Sequence, residues 1–439
     1  MNARYQAPAS AVPWPAPLQA WGVVALLMAA NFISYVDRSI LSLLVSPIKH
    51  SLQISDTKVG LLQSAFGIFF TLTTFPAGWI ADKGNRMRLI AWGITCWSVM
   101  TVLCGMCVNF TQLFAARMGV AVGEAILTPT SASVISDNFP PERRTLPLSF
   151  NGMAGALGLG VSLLTGGFVA SLVSSNDSVT IPGLGAFAPW QITFFAVGLP
   201  GLLVSLMLFF AREPLRRDKG ESTGTLQELW EVMKSRRAIL VPHFTGVSLY
   251  FIHSFAYAAW IPAFLMRVHG WSIAQVGLRY GSMHLVCSLT GGLIGGWIAR
   301  LIARRGRRDA NLLSAALLIG VMVVPAVLGP SASNGFISLF FIGLTSIFSI
   351  ATVGPNVAAI QEIIPNRLRG RVTAIYFALI SLVGATFGPL IIGVLNDYVF
   401  NSEHSIGKSL ALNSGLTLPL GALLVFIASR QRSKLDWVG

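Results

Sequence analysis

Charge is what this chain has least of: of 439 residues only 11% are Asp, Glu, Lys or Arg, against 54% hydrophobic ones. Ordinary soluble domains carry about 25% charged residues, so that class is excluded and the composition reads as a polytopic membrane protein. Acidic residues are the scarcer sign, 17 against 31 basic, for a net charge of +14. A nucleic-acid binder would gather such an excess on one soluble surface. Here the Lys and Arg fall in short gaps between apolar runs, so no nucleic-acid partner is expected and the charge is a record of topology. Cysteine is equally sparse. Cys96, Cys104, Cys107 and Cys287 all lie inside apolar runs. Cys104 and Cys107 have CxxC spacing, but no second pair or His cluster completes a metal site, so small buried packing residues are expected and no metal. No nucleotide-binding glycine loop is present, so ATP is not expected to drive the protein, and neither an enzyme activity nor a cofactor is expected. The start "MNARYQAPASAVPWPAPLQ" is Pro- and Ala-rich with one Arg, and the apolar run after it continues into Asp37 and Arg38 without a small-residue cleavage site, so it is expected to stay as an uncleaved first span.

What the chain does have is long apolar runs. A membrane span needs about 20 mostly apolar residues. Runs of this kind lie near 20 to 46, 58 to 81, 88 to 108, 111 to 136, 147 to 173 and 190 to 211, and again near 240 to 266, 272 to 299, 311 to 329, 335 to 360, 371 to 395 and 408 to 429. The expected architecture is all-α, with twelve transmembrane helices in two pseudo-symmetric bundles of six. The domain division is 1–211, a linker 212–238, and 239–439. The linker holds the longest charged stretch, "REPLRRDKGESTGTLQELWEVMKSRR". Thr225 and Glu228 have capping-box spacing, and Leu226, Leu229, Trp230 and Met233 share one helical face, so a short amphipathic helix on the membrane surface is expected.

Basic residues alternate loop by loop. One set of loops holds Lys83, Arg86 and Arg88; Arg143 and Arg144; the linker; Arg300, Arg304, Arg305, Arg307 and Arg308; and Arg367, Arg369 and Arg371, whereas the other holds little beyond Lys49, Lys58, Arg267 and Lys408. By the positive-inside rule both termini are expected in the cytoplasm, with the protein in the cytoplasmic membrane. A weak internal repeat accompanies the division: "GWIADKGNRMR" after span 2 is echoed by "GWIARLIARRGRR" after span 8, and "SDNFPPERR" by "QEIIPNRLR". Two copies of a six-helix unit suggest a transporter with its site between the halves.

Gly78, Asp82, Lys83, Arg86 and Arg88 resemble the signature that follows the second helix in the major facilitator superfamily, with Gly84 and Asn85 in reversed order. Within it, "SYVDRSILSLLVSPIK", "LQISDTKVGLL", "ARMGVAVGEA", "WIPAFLMRVHG" and "GPNVAAIQEIIPNRLRGR" most resemble the Spinster family. That resemblance implies the major facilitator fold and cargoes such as sphingosine-1-phosphate, lysophospholipids and related amphiphiles. The neighbouring sugar-acid symporters share the Asp-Arg of span 1 and the Gly-Glu-Ala of span 4. A small organic anion symporter is thus the alternative cargo reading, and a non-transporting receptor the alternative of another class. Expected partners are a small-molecule or lipid-like substrate, protons and membrane lipids, with the monomer as the working unit.

The residues expected to carry function are those least at home in lipid. Asp37 and Arg38 sit inside span 1, and Arg117 and Glu124 inside span 4. At about 2.5 to 3.5 kcal/mol each, four ionised groups cost roughly 10 kcal/mol unless they pair. Helical spacing aligns Asn31, Ser34 and Arg38 on one stripe of span 1, and Arg117, Glu124 and Thr128 on one stripe of span 4. Asp37 and Glu124 are the candidates for proton coupling, a role the Spinster resemblance also implies for them. Arg38, Arg117, Asn31, Ser34 and Thr128 are candidates for substrate. The second half has no carboxylate within its expected spans. It offers Tyr250, His253, Tyr257 and Trp260 on one stripe of span 7, either substrate contacts or packing, and Arg279 in span 8. Gly78, Asp82, Lys83 and Arg86 are gate candidates, Asp82 by pairing with a neighbouring helix end. For Arg86 and Arg88, solvation of a loop is a sufficient alternative.

Single cysteines introduced at Ser222 and Ser178 should react with an impermeant reagent from opposite sides of the membrane. Labelling of both from outside intact cells would overturn the topology.

Overall fold

The computed structural model describes residues 14–173, 179–181, 185–216 and 225–434. The tail before residue 14, linker residues 217–224, and the two labelling positions Ser178 and Ser222 lie outside them. Fifteen α-helices follow in order: α1 (Pro17–Leu43), α2 (Val45–Leu52), α3 (Asp56–Lys83), α4 (Arg86–Cys104), α5 (Phe110–Glu124), α6 (Leu127–Asn138), α7 (Thr145–Val173), α8 (Pro189–Phe209), α9 (Leu226–Ser235), α10 (Arg237–His269), α11 (Ile273–Ala303), α12 (Ala310–Ser331), α13 (Gly335–Ile363), α14 (Arg369–Val394) and α15 (Ile406–Lys434). Among the described residues the one sheet is a two-stranded hairpin, β1 (Val179–Ile181) and β2 (Gly185–Phe187), between α7 and α8. Among the described residues eleven spans are long and apolar enough to cross a membrane, twelve when the bent pair within α7 counts as one.

Local sequence explains the helix starts. Ser55 Oγ accepts from the Lys58 amide at 3.3 Å, Asn85 Oδ1 from Arg88 at 2.8 Å, and Asn109 Oδ1 from Gln112 at 3.0 Å. Each satisfies an amide that the first turn leaves unpaired. At α9 the Thr225 hydroxyl accepts from the Glu228 amide at 3.1 Å, and Leu229 is buried while Leu226 and Trp230 are exposed. The shared apolar face of the linker helix is therefore only partly covered by the protein, and Glu228 forms an ion pair with Arg367.

Span 4, expected over 111 to 136, is one span over Phe110–Asn138, with its helix interrupted between α5 and α6, immediately after Glu124. Pro129 supplies the reason: it has no amide to give and its ring crowds the carbonyl four residues back, at Ala125.

The two six-helix groups meet mainly along α3 with α14 and α7 with α11, and more lightly along α1 with α10. The closest approaches lie toward one end of the bundle. A Cβ at Gly60 would sit 2.7 Å from the Pro389 carbonyl oxygen, and one at Gly167 would sit 2.8 Å from the Gly277 Cα. This end also carries the β-hairpin and is called the hairpin end; the opposite one, with the linker, is the linker end. Toward the linker end of α3, Leu72, Phe75 and Trp79 are exposed, and a Cβ at Gly78 would meet nothing within 4 Å. The halves are thus closed against each other at one end and parted at the other.

Within the first half, α4 and α5 touch backbone to backbone. A Cβ at Gly123 would lie 2.7 Å from both the Gly93 carbonyl oxygen and the Trp97 amide. Gly123→Ala should cost about 1 to 3 kcal/mol, seen as a lower melting temperature in detergent. Gly22→Ala, where a Cβ meets nothing within 4 Å, is the control; equal melting of the two variants would contradict this contact.

Candidate functional site

Two helices of the first half, α1 and α5, bring the intramembrane charges together. Adjacent residues on α1 point about 100° apart, so Asp37 and Arg38 do not pair with each other. Arg117 and Glu124 stand two turns apart on α5, about 10 Å along its axis. The pairing runs crosswise between the helices. The Arg38 Nε donates to Glu124 Oε2 at 2.5 Å, and Arg117 Nη1 lies 3.2 Å from Asp37 Oδ1. Pairing within a span, Asp37 with Arg38 or Glu124 with Arg117, is not what the structure shows. Neighbours in sequence diverge around the helix, whereas long arginine side chains reach across to the other one.

Further donors complete the cluster. The Ser34 hydroxyl donates to Glu124 Oε2 at 2.7 Å, and the Thr101 hydroxyl, on α4, donates to Asp37 Oδ2. Asn31 Nδ2 donates to the Leu27 carbonyl at 3.0 Å and to Asn151 Oδ1 at 2.9 Å, tying α1 to α7. Aromatic faces surround the guanidinium of Arg38: Phe70 at 4.4 Å, Phe66 at 5.3 Å and Tyr35 at 5.5 Å. Phe66 also lies 5.1 Å from that of Arg117. Ring faces stabilise a cation where water is scarce.

The two pairs differ in access. The Arg117 and Asp37 side chains are 2% and 1% exposed, sealed inside the half. Arg38 is 28% exposed while its partner Glu124 is fully buried. Two buried atoms are left without a hydrogen-bond partner, Glu124 Oε1 and Arg117 Nε. Thr128 lies beyond the break in span 4 and is exposed, making no hydrogen bond among the described residues. Thr101, Tyr35, Phe66 and Phe70 were not legible as site residues, since single hydroxyls and rings in apolar spans are ordinary.

In the second half the expected substrate stripe turns inward. Tyr250 donates to the Ser349 carbonyl on α13 at 2.8 Å, His253 Nδ1 lies 2.9 Å from Ser414 Oγ on α15, Tyr257 donates to the Ala326 carbonyl on α12, and Trp260 Nε1 donates to the Pro389 carbonyl on α14 at 2.9 Å. All four are buried. Each spends its polar atom on a different neighbouring helix, which fits the packing alternative for this stripe. Arg279 stands two turns from the hairpin end of α11, stacked between Trp271 at 4.8 Å and Phe336 at 4.9 Å, apart from the charged cluster.

The signature residues at the linker end separate into two kinds. Arg86 is no solvated loop residue: it is buried and bonds Asp137 at 2.5 Å, Glu213 at 2.8 Å and Ser133 at 2.8 Å. It joins α4 to α6 and to the segment after α8. Asp82 is exposed, and its carboxylate has no ion pair among the described residues; its backbone carbonyl accepts from Arg216. Lys83 lies 3.8 Å over the Trp79 ring. Among the described residues the Asp82 carboxylate makes no bond to a neighbouring helix end.

Removing one partner of a buried ion pair costs about 3 to 5 kcal/mol, because the other charge is left bare. Asp37→Asn should therefore depress the melting temperature, and the double variant with Arg117→Met should recover much of the loss. The double variant with Arg38→Met should not. Recovery with Arg38 instead would overturn the crosswise pairing.

A family model described as Major Facilitator Superfamily matches residues 27–429. An MFS-type efflux pump of Mycolicibacterium smegmatis (strain ATCC 700084 / mc(2)155) is 28% identical, over 94% of this chain and 93% of its own. A probable L-galactonate transporter of Escherichia coli (strain K12) is 24% identical, over 92% of this chain and 88% of its own. Among solved structures, a bacterial homologue of the human lysosomal transporter Spinster, in an inward-facing and unoccupied conformation, matches with a TM-score of 0.77 at 22% identity, covering 95% of this chain and 97% of that one. The helices, the two bundles of six and a family match from the first span to the last agree: the chain belongs to the Major Facilitator Superfamily.

Proposed function

We propose that this protein is a proton-coupled secondary transporter that moves an amphiphilic organic anion by alternating access, with the linker end and both termini in the cytoplasm. The observation that carries the reading is the Arg38–Glu124 pair. Its cation is partly exposed and ringed by aromatic faces, and its carboxylate is fully buried with one oxygen unbonded. An acidic headgroup arriving at Arg38 competes with Glu124 for the same guanidinium. A buried carboxylate that loses its counter-charge is neutralised at least cost by taking a proton. The free Oε1 is where that proton would sit. Departure of the cargo returns Arg38 to Glu124 and expels the proton. Cargo and proton thus become linked through one arginine, while the sealed Asp37–Arg117 pair holds α1 and α5 in register.

The aromatic surroundings favour a cargo with an apolar body. A sugar acid presents hydroxyls, which Phe66 and Phe70 cannot bond, whereas a lysolipid or sphingoid phosphate presents hydrocarbon beside its anionic group. The bacterial Spinster homologue supports the fold in which such a site works, and the sugar-acid relative supplies the comparison cargo.

The test is proton-driven uptake beside equilibrium binding, in one preparation of liposomes, with lysophosphatidic acid and L-galactonate as probes. Glu124→Gln mimics the protonated carboxyl and should lose pH-gradient-driven accumulation by at least about tenfold, while binding survives. Full gradient-driven accumulation by this variant would end the coupling proposal, and a response to L-galactonate alone would move the cargo to the sugar acids.

A further inference from the structure

A second group of ions lies at the hairpin end, and the transport cycle above makes no use of it. Asp56, the first residue of α3, is completely buried. Its carboxylate takes a cation from each half: Lys49 Nζ, from α2, lies 3.0 Å from Oδ1, and Arg267 Nη1, from the last turn of α10, lies 2.8 Å from Oδ2. Lys49 also reaches Glu403 in the second half at 2.7 Å, and Arg267 Nε donates to Ser46 Oγ in the first half at 3.1 Å.

A short π-helical turn, Leu395–Val399, follows α14 and supplies two consecutive side chains to the same place. Asn396 Nδ2 donates to Asp56 Oδ2 at 3.0 Å, and its own Oδ1 is fixed by the Ser409 hydroxyl at 2.6 Å. Asp397 accepts from the Asp56 amide at 3.3 Å and from the Thr57 amide at 2.6 Å. The first amides of α3 are therefore capped by a carboxylate from the opposite half, while Ser55 caps only the third. A helix N-terminus carries partial positive charge, so an aspartate suits it. The wider turn admits an extra residue, which is how two neighbours in sequence reach one target; such turns recur at functional sites. The backbones fit as closely as the charges: a Cβ at Gly393 would lie 2.5 Å from the Asp56 carbonyl oxygen.

We propose that this group is the latch of the hairpin-side entrance, with Asp397 capping α3 in trans and Asp56 shared between Lys49 and Arg267. It rests on the reading of the chain as an alternating-access transporter. Opening breaks the bonds that cross between halves and keeps Lys49 with Asp56, so the first half parts as a neutral pair. Arg267 loses its carboxylate, and two α3 amides lose their cap. The latch therefore favours the state closed at this end, and its release is a step that every cycle must pass.

Pairs of spin labels test it without any measurement of transport, so its failure is separate from that of the coupling proposal. One pair, at Ser51 and Lys408 in a cysteine-free background, reads the hairpin end; a second, at Ser136 and Gly370, reads the linker end. The unmodified latch should give mainly short distances at the first pair. Asp397→Ala and Asp56→Asn should raise the ratio of long to short distances there by about tenfold, and shorten the second pair. Gly393→Ala, which alters no charge, should open the same end by contact with the Asp56 carbonyl. Hairpin-end distances unchanged in folded Asp397→Ala and Gly393→Ala would overturn the latch.

Discussion

An ionised side chain among apolar atoms is tolerable only when an opposite charge meets it at hydrogen-bond distance, and the arrangement of this protein follows from that requirement. Asp37, Arg38, Arg117 and Glu124 lie in two spans, α1 and α5, and satisfy one another only if those helices stand side by side in one register. Thr101 and Asn31 extend the constraint to α4 and α7. Polar atoms that lipid cannot solvate thus specify which helices of the first half are neighbours. The second half obeys the same rule with neutral groups: Tyr250, His253, Tyr257 and Trp260 each reach a different helix.

Between the halves a different physics operates. Their contact along α3 with α14 and α7 with α11 uses glycines, where backbones approach with no side chain between them. Such faces slide or part without unpacking a core. The two ends of this contact are unequal, one closed and sewn by ions, the other parted. Charges within a half hold it rigid, and charges between halves decide which end is closed. Arg86 belongs to the first kind, since its carboxylates Asp137 and Glu213 both lie in its own half, whereas Arg267 belongs to the second.

Much of this was legible before any coordinates. Span lengths, the twelve-helix count and the linker helix follow from hydropathy and capping chemistry, and most helix ends fall within a few residues of expectation. The four intramembrane charges stand out because each is costly in lipid. The rest was hidden for identifiable reasons. Lys49 and Arg267 read as loop residues that merely record topology, and Asp56, Asn396, Asp397 and Glu403 fall between the expected spans, where nothing singles them out. Their common target is assembled from four separate segments, and no periodicity within one helix announces it.

The sequence by itself determined how many times the chain crosses, where the charges sit within each span, and which face of a helix they share, because hydrophobic length and helical period are properties of one segment at a time. Only the tertiary structure decided that Arg38 takes Glu124 and Arg117 takes Asp37, that the α10 stripe packs inward, and that Asp397 caps a helix of the other half. Those outcomes depend on distances between segments that lie tens to hundreds of residues apart in the chain. A charge or a carbonyl carries no mark of its partner until folding brings the two within hydrogen-bond reach.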